Sequence, residues 1–295
     1  MANTFFTDKE AQGRVAATAL SVLARQLVLP ATVYRSAESD FSGRVGDTVT
    51  IRKPASLSSR TYASRTSAIV VDDLTETGVP VSIDANIYSA VEITDEQMEF
   101  EVDNFSAQVV APQLRAVAEG AENLLAADFN SLSGSINIKA DGTDVIAQVI
   151  EANKVLNQKN VPQGGRYLAV SPTVQAFLLN SELVQRVDQS GTDTALRQAT
   201  ITRLFGFDIF VSNALTDGSA VAYSKDAFAF CMKAPRVPVG AVAGSSMSYQ
   251  GLSLRWMADY QSDYLQDRSI VSVLCGSTVL DANRAVKINT TGLSS

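Results

Sequence analysis

The chain has 295 residues, 46% of them apolar, and a mean hydropathy of +0.07, which excludes a disordered protein and allows one elaborate domain or two ordinary ones around a real core. A net charge of −7 and a pI near 4.8 argue against generic nucleic-acid binding, which needs clustered Lys and Arg on phosphates. No histidine occurs, so the usual base of a Ser or Cys nucleophile, the commonest metal ligand and the ordinary neutral-pH switch are all missing. Carboxylate, Lys or Tyr chemistry stays open, but an enzyme is not expected.

The first ten residues lack the basic and then apolar regions of a signal peptide, and no run approaches the roughly 20 apolar residues of a membrane span. A chain made in a cytoplasm, soluble and without a membrane partner, is the expectation. Residues 11–29 have Val15, Ala19, Val22, Leu23 and Leu27 at helical spacing, with Arg14 and Arg25 on one face and Pro30 as the stop. Residues 46–52 read as a turn feeding a strand that Pro54 ends, and 56–67 as an exposed Ser/Thr loop. Alternation at Val79, Val81 and Ile83, continued by Ile87, Ala90, Val91 and Ile93, predicts a long hairpin with its tip near residues 75–78. A hairpin is marginal alone and needs a surface to lie on.

Leu114, Val117, Ala118, Ala121, Leu124 and Leu125 predict a helix within 103–132, with Pro112 in its first turn or at a kink and Arg115 paired to Glu119. Asp141 to Asp144 caps a second helix whose inner side is Val145, Val149, Asn153 and Leu156. Arg166 to Val170 is a short strand, and Ser171-Pro172 starts a helix over 173–180. Another helix is expected over about 193–204. Strands 207–211 and 220–223 flank Thr216-Asp217-Gly218, a hairpin signal. Residues 227–232, 252–257, 270–274 and 278–280 are further strands. Cys231 and Cys275 sit in apolar runs as buried thiols, although spacing leaves a disulfide open.

Phosphate-binding, dinucleotide-binding and nucleophile-elbow motifs are absent. The segment from Asp141 lacks the sixth-position Gly and twelfth-position Glu of a calcium loop, since Ile146 and Ala152 stand there. No catalytic, cofactor-binding or metal residue is proposed, and no cofactor is expected.

Charge is the strongest signal. Residues 69–103 hold ten acids (Asp72, Asp73, Glu76, Asp84, Glu92, Asp95, Glu96, Glu99, Glu101 and Asp103) and no base. Arg14, Arg25, Arg35, Arg44, Arg52, Lys53, Arg60 and Arg65 bias the preceding 68 residues the other way. Adjacent segments of opposite sign suit pairing within one molecule or between copies, which points to assembly. Spread along a hairpin, the acids fit a solvated or partner-facing edge better than a metal cage, and charged edges block wrong strand pairing.

Helices and strands come in blocks, so the class is α+β. The order of arm, hairpin, long helix, α/β insert and return strands resembles the HK97-like fold of tailed-bacteriophage major capsid proteins, of the P22 coat-protein type. Residues 46–54, residues 220–230 after the 207–212 strand, and residues 274–281 with 285–288 carry the resemblance. It implies an N-arm (1–40), a strand and extended E-loop hairpin (41–95), a P-domain spine helix (96–137), an A-domain (138–245), and return P-domain strands with the C-terminus (246–295).

The resemblance also implies a coat protein that self-assembles through hexamers and pentamers into an icosahedral head. That head would enclose double-stranded DNA without sequence-specific binding. Scaffolding and portal proteins would be partners, the scaffold separate because the N-arm shows no fused segment. The location would be the virion, assembled in the host cytoplasm. Some relatives weld subunits through an E-loop lysine; here no lysine lies between Lys53 and Lys139, so that chemistry is not expected. No stretch in 138–245 matches the inserted domain of the P22 coat protein. Arg52, Arg60 and Arg65 against Asp72, Asp73 and Glu76 are the candidate subunit interface, with mere solubility as the alternative role. An encapsulin-type nanocompartment shell and a carboxylate-based hydrolase are the other functions weighed.

Overall fold

The computed structural model describes residues 28–35, 48–53, 59–62, 68–69, 71, 76–100, 106–181, 203–249 and 252–291. The helix expected over 11–29 lies outside them except at its end, where Leu29–Ala31 form a single 3-10 turn. The helix expected over 193–204 lies outside too, apart from Arg203–Leu204, which are strand.

Thirteen strands and four α-helices are described. In chain order they are β1 (Thr48–Lys53), β2 (Thr77–Ser82), β3 (Ala85–Thr94), α1 (Asp95–Phe100), α2 (Ala111–Ser131), β4 (Gly134–Ile138), α3 (Val145–Gln158), β5 (Arg166–Val170), α4 (Pro172–Asn180), β6 (Arg203–Leu204), β7 (Phe207–Val211), β8 (Ser219–Ser224), β9 (Phe228–Lys233), β10 (Ala243–Tyr249), β11 (Leu252–Gln261), β12 (Gln266–Val279) and β13 (Ala285–Thr290). The expectations for β1, α2, α3, β5 and α4 hold to within a residue or two at most of their ends.

β1 and β2 form a two-stranded antiparallel sheet, a five-stranded sheet runs β10-β11-β12-β3 with β9 also on β12, and a six-stranded sheet runs β4-β13-β8-β5-β7-β6. Three sequence expectations are corrected by this pairing. The hairpin expected over 69–93 does not form: β2 pairs back to β1, Thr48 opposite Ser82 and Lys53 opposite Thr77, while β3 pairs with β12. Its supposed tip, 75–78, leads into β2 itself, and the tip of the real hairpin falls between Lys53 and Thr77. The hairpin expected across Thr216-Asp217-Gly218 does not form either. The turn exists, with Gly218 at φ 70 and the Ser219 N–H on the Thr216 carbonyl at 3.1 Å, but β5 lies between β7 and β8. Finally, β13 was expected with the return strands and instead lies in the six-stranded sheet, between β4 and β8.

Alternation along each strand sorts the core. In β8, Ala220 and Ala222 face one way with Leu168, Val170, Val286 and Ile288, onto Val145, Val149, Ala152 and Leu156 of α3 and Val174 and Leu178 of α4. Val221 and Tyr223 face the other way with Ala169, onto α2. Both faces are therefore covered, and every residue of β8 is buried. Helix α2 buries Leu114, Val117, Ala118, Ala121 and Leu125, as its spacing predicts, and Phe129 one turn further on, while Leu124 of the predicted face is half-buried. Pro112 sits in its first turn, after a π-helical turn at Ser106–Val110, where its missing N–H costs nothing. Arg115 and Glu119 stay exposed and do not close to an ion pair.

Helix α2 is pinned to both sheets. Phe129 stacks on Phe228 (centroids 4.1 Å apart) and meets Tyr223 edge-on at 4.9 Å. Gln113 donates from Nε2 to the Ser269 carbonyl at 2.8 Å and accepts from Ser269 Oγ at 2.9 Å; Trp256 Nε1 donates to that same hydroxyl at 3.1 Å. Gln113, Trp256 and Ser269 thus satisfy one another's buried polar groups, as burial demands. Gly120 faces β3, where a Cβ would come 2.9 Å from Ile87 Cγ2. At the helix end, Lys287 Nζ donates to the Asn130 carbonyl at 2.7 Å, a cation on an orphan C-terminal acceptor.

Cys231 and Cys275 are both buried thiols and form no disulfide. Adjacent strands carry them, but Cys231 faces the hairpin side and Cys275 the α2 side. Burial pushes the Cys275 thiol up to about 12, with Cys231 adding to the rise. Arg166 is buried with no acidic partner among the described residues; Nε donates to Pro162 O at 2.9 Å and Nη2 to Asn157 Oδ1 at 2.8 Å, with Asn153 and the Val161 carbonyl as further acceptors. It ties the end of α3 to the start of β5. Asn153, expected on the inner side of α3, is half-buried and serves this network.

Candidate functional site

The feature that a self-contained fold does not need is the β1–β2 ribbon. β1 alternates between exposed and half-buried residues, and in β2 Val79 and Val81 are covered while Thr77, Gly78 and Pro80 are exposed, so only one face has a support. That support is a small cluster: Val81 and Ile83 pack with Ala229, Cys231 and Leu274, and Val49, Ile51, Tyr34 and Leu280 close over it. The root passes so close to β12 that only glycine fits there. A Cβ on Gly276 would lie 2.0 Å from the Ser82 carbonyl oxygen and 2.9 Å from its carbon.

Charges lock the same root. Lys53 Nζ meets Asp281 Oδ2 at 2.9 Å, and Arg284 reaches Asp281 at 3.5 Å and Asp226 at 3.1 Å. Burial alone would raise the Asp281 carboxyl. Lys53, the Asn283 N–H and Arg284 outweigh that and hold it below its ordinary value. These residues and the apolar wall of Ile51, Val79 and Leu280 line a cavity of about 210 Å³. Nothing in the sequence flagged this clamp: Lys53 and Asp281 are far apart in the chain and carry no motif.

A second acid sits nearby. Asp128, near the end of α2, has a buried Oδ2 without a hydrogen-bond partner. Burial raises its pKa, a Ser277 hydrogen bond opposes the rise, and Asp84, in the β2–β3 connection, adds to it.

Of the candidate interface residues, Arg52 lies on β1 and reaches Glu76 across the ribbon at 3.4 Å, so this pair closes within one subunit. Arg60 is exposed in residues 59–62. Arg65, Asp72 and Asp73 lie outside the described residues. Among the described residues no group of three or more Cys, Asp or Glu side chains could hold a metal, and no helix is long and apolar enough to cross a membrane.

A helix-backed sheet, a mixed sheet and a charged ribbon rooted beside β12 make up an α+β fold of the HK97-like type. The phage capsid protein family matches residues 78–261, more than half of the chain, and the chain belongs to that family. Solved structures agree on the fold. A chain from Mycobacterium phage Che8 is 21% identical with a TM-score of 0.67, covering 89% of this chain and 91% of that one. One from the capsid of cyanophage P-SCSP1u is 18% identical at 0.61, covering 83% and 84%. A virus-like particle from Pyrococcus furiosus is 10% identical at 0.56, covering 95% and 100%, so the fold alone does not single out a phage head; the family match does. No curated protein sequence gives a significant match. The protein is a major capsid protein of a phage head, a structural component of the virion that associates with itself into capsomers.

Proposed function

We propose that copies of this chain form hexamers and pentamers that close into an icosahedral head around double-stranded DNA, and that the protein catalyses no reaction. The family match over residues 78–261 carries this reading. The acidic balance of the chain supports enclosure of DNA without tight or sequence-specific binding. Assembly in the host cytoplasm, with separate scaffolding and portal proteins, belongs to the same proposal. So does the division into N-arm (1–40), E-loop (41–95), spine (96–137), A-domain (138–245) and return strands (246–295), with β3 and β13 lending strands across those bounds.

The contact between copies is assigned to the charged ribbon, with Arg60 and Arg65 of one copy against Asp72 and Asp73 of another, while Arg52 and Glu76 of the same candidate set pair within one subunit. A ribbon supported on one face leaves the other for a neighbour. Exposed ion pairs contribute about 0–1 kcal/mol each, but a closed symmetric shell repeats every contact at each subunit. Negative-stain electron microscopy of the chain, expressed alone and with its neighbouring genes, beside size-exclusion chromatography, tests the reading. Closed shells or capsomer rings, with nuclease-protected DNA in particles from infected cells, are expected. A monomer under both expression conditions contradicts it.

A further inference from the structure

The ribbon and the five-stranded sheet meet at a short joint, Ile83 and Asp84, with β2 paired to β1 before it and β3 paired to β12 after it. Ile83 is fully buried and Asp84 is exposed. Because the strands on either side have different partners, a change of backbone angle here tilts the ribbon against the sheet. The joint crosses β12 at Gly276, where the Ser82 carbonyl leaves no room for a side chain. The next residue of β12, Ser277, faces α2.

A carboxyl of α2 faces this joint. Asp128 has a buried Oδ2 with no hydrogen-bond partner. Its support is the Ser277 hydroxyl, which also lies 3.5 Å from the Leu124 carbonyl. A hydroxyl carries a single hydrogen, so Ser277 cannot donate fully to both. Among the described residues, the charged groups facing this end of α2 are Asp84 from the joint and Lys287 from β13. Lys287 Nζ is taken up by the Asn130 carbonyl at 2.7 Å, and Asp84 brings a like charge. An ionised Asp128 is therefore a buried charge with too few donors and a repelling neighbour. Burial raises its pKa most, the Ser277 hydrogen bond opposes the rise, and Asp84 adds to it.

A proton ends both defects. The neutral carboxyl donates to Ser277 Oγ, the Ser277 hydrogen goes to the Leu124 carbonyl, and Asp84 no longer faces a charge. We propose that Asp128 is a proton-operated latch on the joint: neutral, it ties α2 to β12 and seats the joint; ionised, it pushes on Asp84 and lets the ribbon tilt. The latch works within one subunit, whatever the ribbon meets. The seated state binds the proton more tightly, so the joint is held at low pH and released as pH rises through the seated-state value. The Lys53–Asp281 clamp at the same root has the opposite sign, because Asp281 is held low and loses its pairing in acid. Loosening toward neutral pH therefore cannot come from the clamp.

Amide hydrogen exchange of the full chain, read by mass spectrometry from about pH 4 to about pH 8 and corrected for the intrinsic pH dependence of exchange, tests the latch. Peptides spanning residues 82–88 are expected to lose protection several-fold as pH rises, while those of β8 stay constant. Asp128→Asn, which mimics the neutral acid, is expected to hold the acid-side protection across the whole range. Asp84→Asn, a change at an exposed position, is expected to keep the transition, move it to lower pH and reduce its size. Constant protection in the parent chain overturns the latch. So does a transition that survives in Asp128→Asn, which assigns it to another group, or one that vanishes in Asp84→Asn, which assigns it to Asp84.

Discussion

The six-stranded sheet and the β1–β2 ribbon are built from strands of similar length, yet they solve burial in opposite ways. β8 and β5 have helices on one face and α2 on the other, so their side chains are covered on both sides. The ribbon has one supported face, a five-residue buried cluster at its root and a clamp of ion pairs. The first region holds the subunit together. The second contributes little to that and leaves its bases and acids in reach of another copy.

This contrast can be broken most severely from the sheet side. Phe129→Ala removes the ring that stacks on Phe228 and meets Tyr223, and is expected to cost about 3–5 kcal/mol of subunit stability by denaturant unfolding. A comparable truncation on the ribbon, Ile51→Ala, is expected to cost far less in the same assay, because Ile51 is only half-buried. Gly276→Ala is intermediate. Its Cβ meets backbone that cannot step aside, so about 1–3 kcal/mol of strain is expected, together with a loss of shells, since the clash unseats the root.

Two acids sharpen the contrast by opposite pH responses. Asp281 is held below its ordinary pKa, so its contribution is present above the carboxylate range and lost as pH falls through the folded value. Asp281→Asn is expected to lower the unfolding free energy at neutral pH by about 1 kcal/mol or less and to differ less from the parent chain at acid pH. Asp128 is raised, so its ionisation opposes folding; stability is full at low pH and falls as pH rises through the folded value. Asp128→Asn is expected to raise the midpoint slightly at neutral pH and to leave it unchanged in acid.

Local signals carried much of the fold. The β-branched and apolar run Tyr167 to Val170 between Gly165 and Pro172 marked β5 correctly, and the three-four spacing from Leu114 to Leu125 marked the buried face of α2. Partners of strands were not legible. The alternation from Val79 to Ile93 reads as one continuous arm of a hairpin with its tip near 75–78, but β2 pairs back to β1 and β3 belongs opposite Gln266 to Cys275. The turn at Gly218 is real, yet β5 intervenes between the strands it joins. Pairing at such separation is decided by burial across the whole sheet rather than by turn chemistry. The candidate site divides the same way: unmixed charge pointed to the ribbon, while the Lys53–Asp281 clamp and Gly276 come together only through the fold.

The account stands most directly on one double variant, Asp72→Lys/Asp73→Lys, measured for unfolding and for shell formation in the same preparation. An unchanged unfolding midpoint with shells absent by electron microscopy is the predicted result. Normal shells would contradict the ribbon's role as the assembly arm.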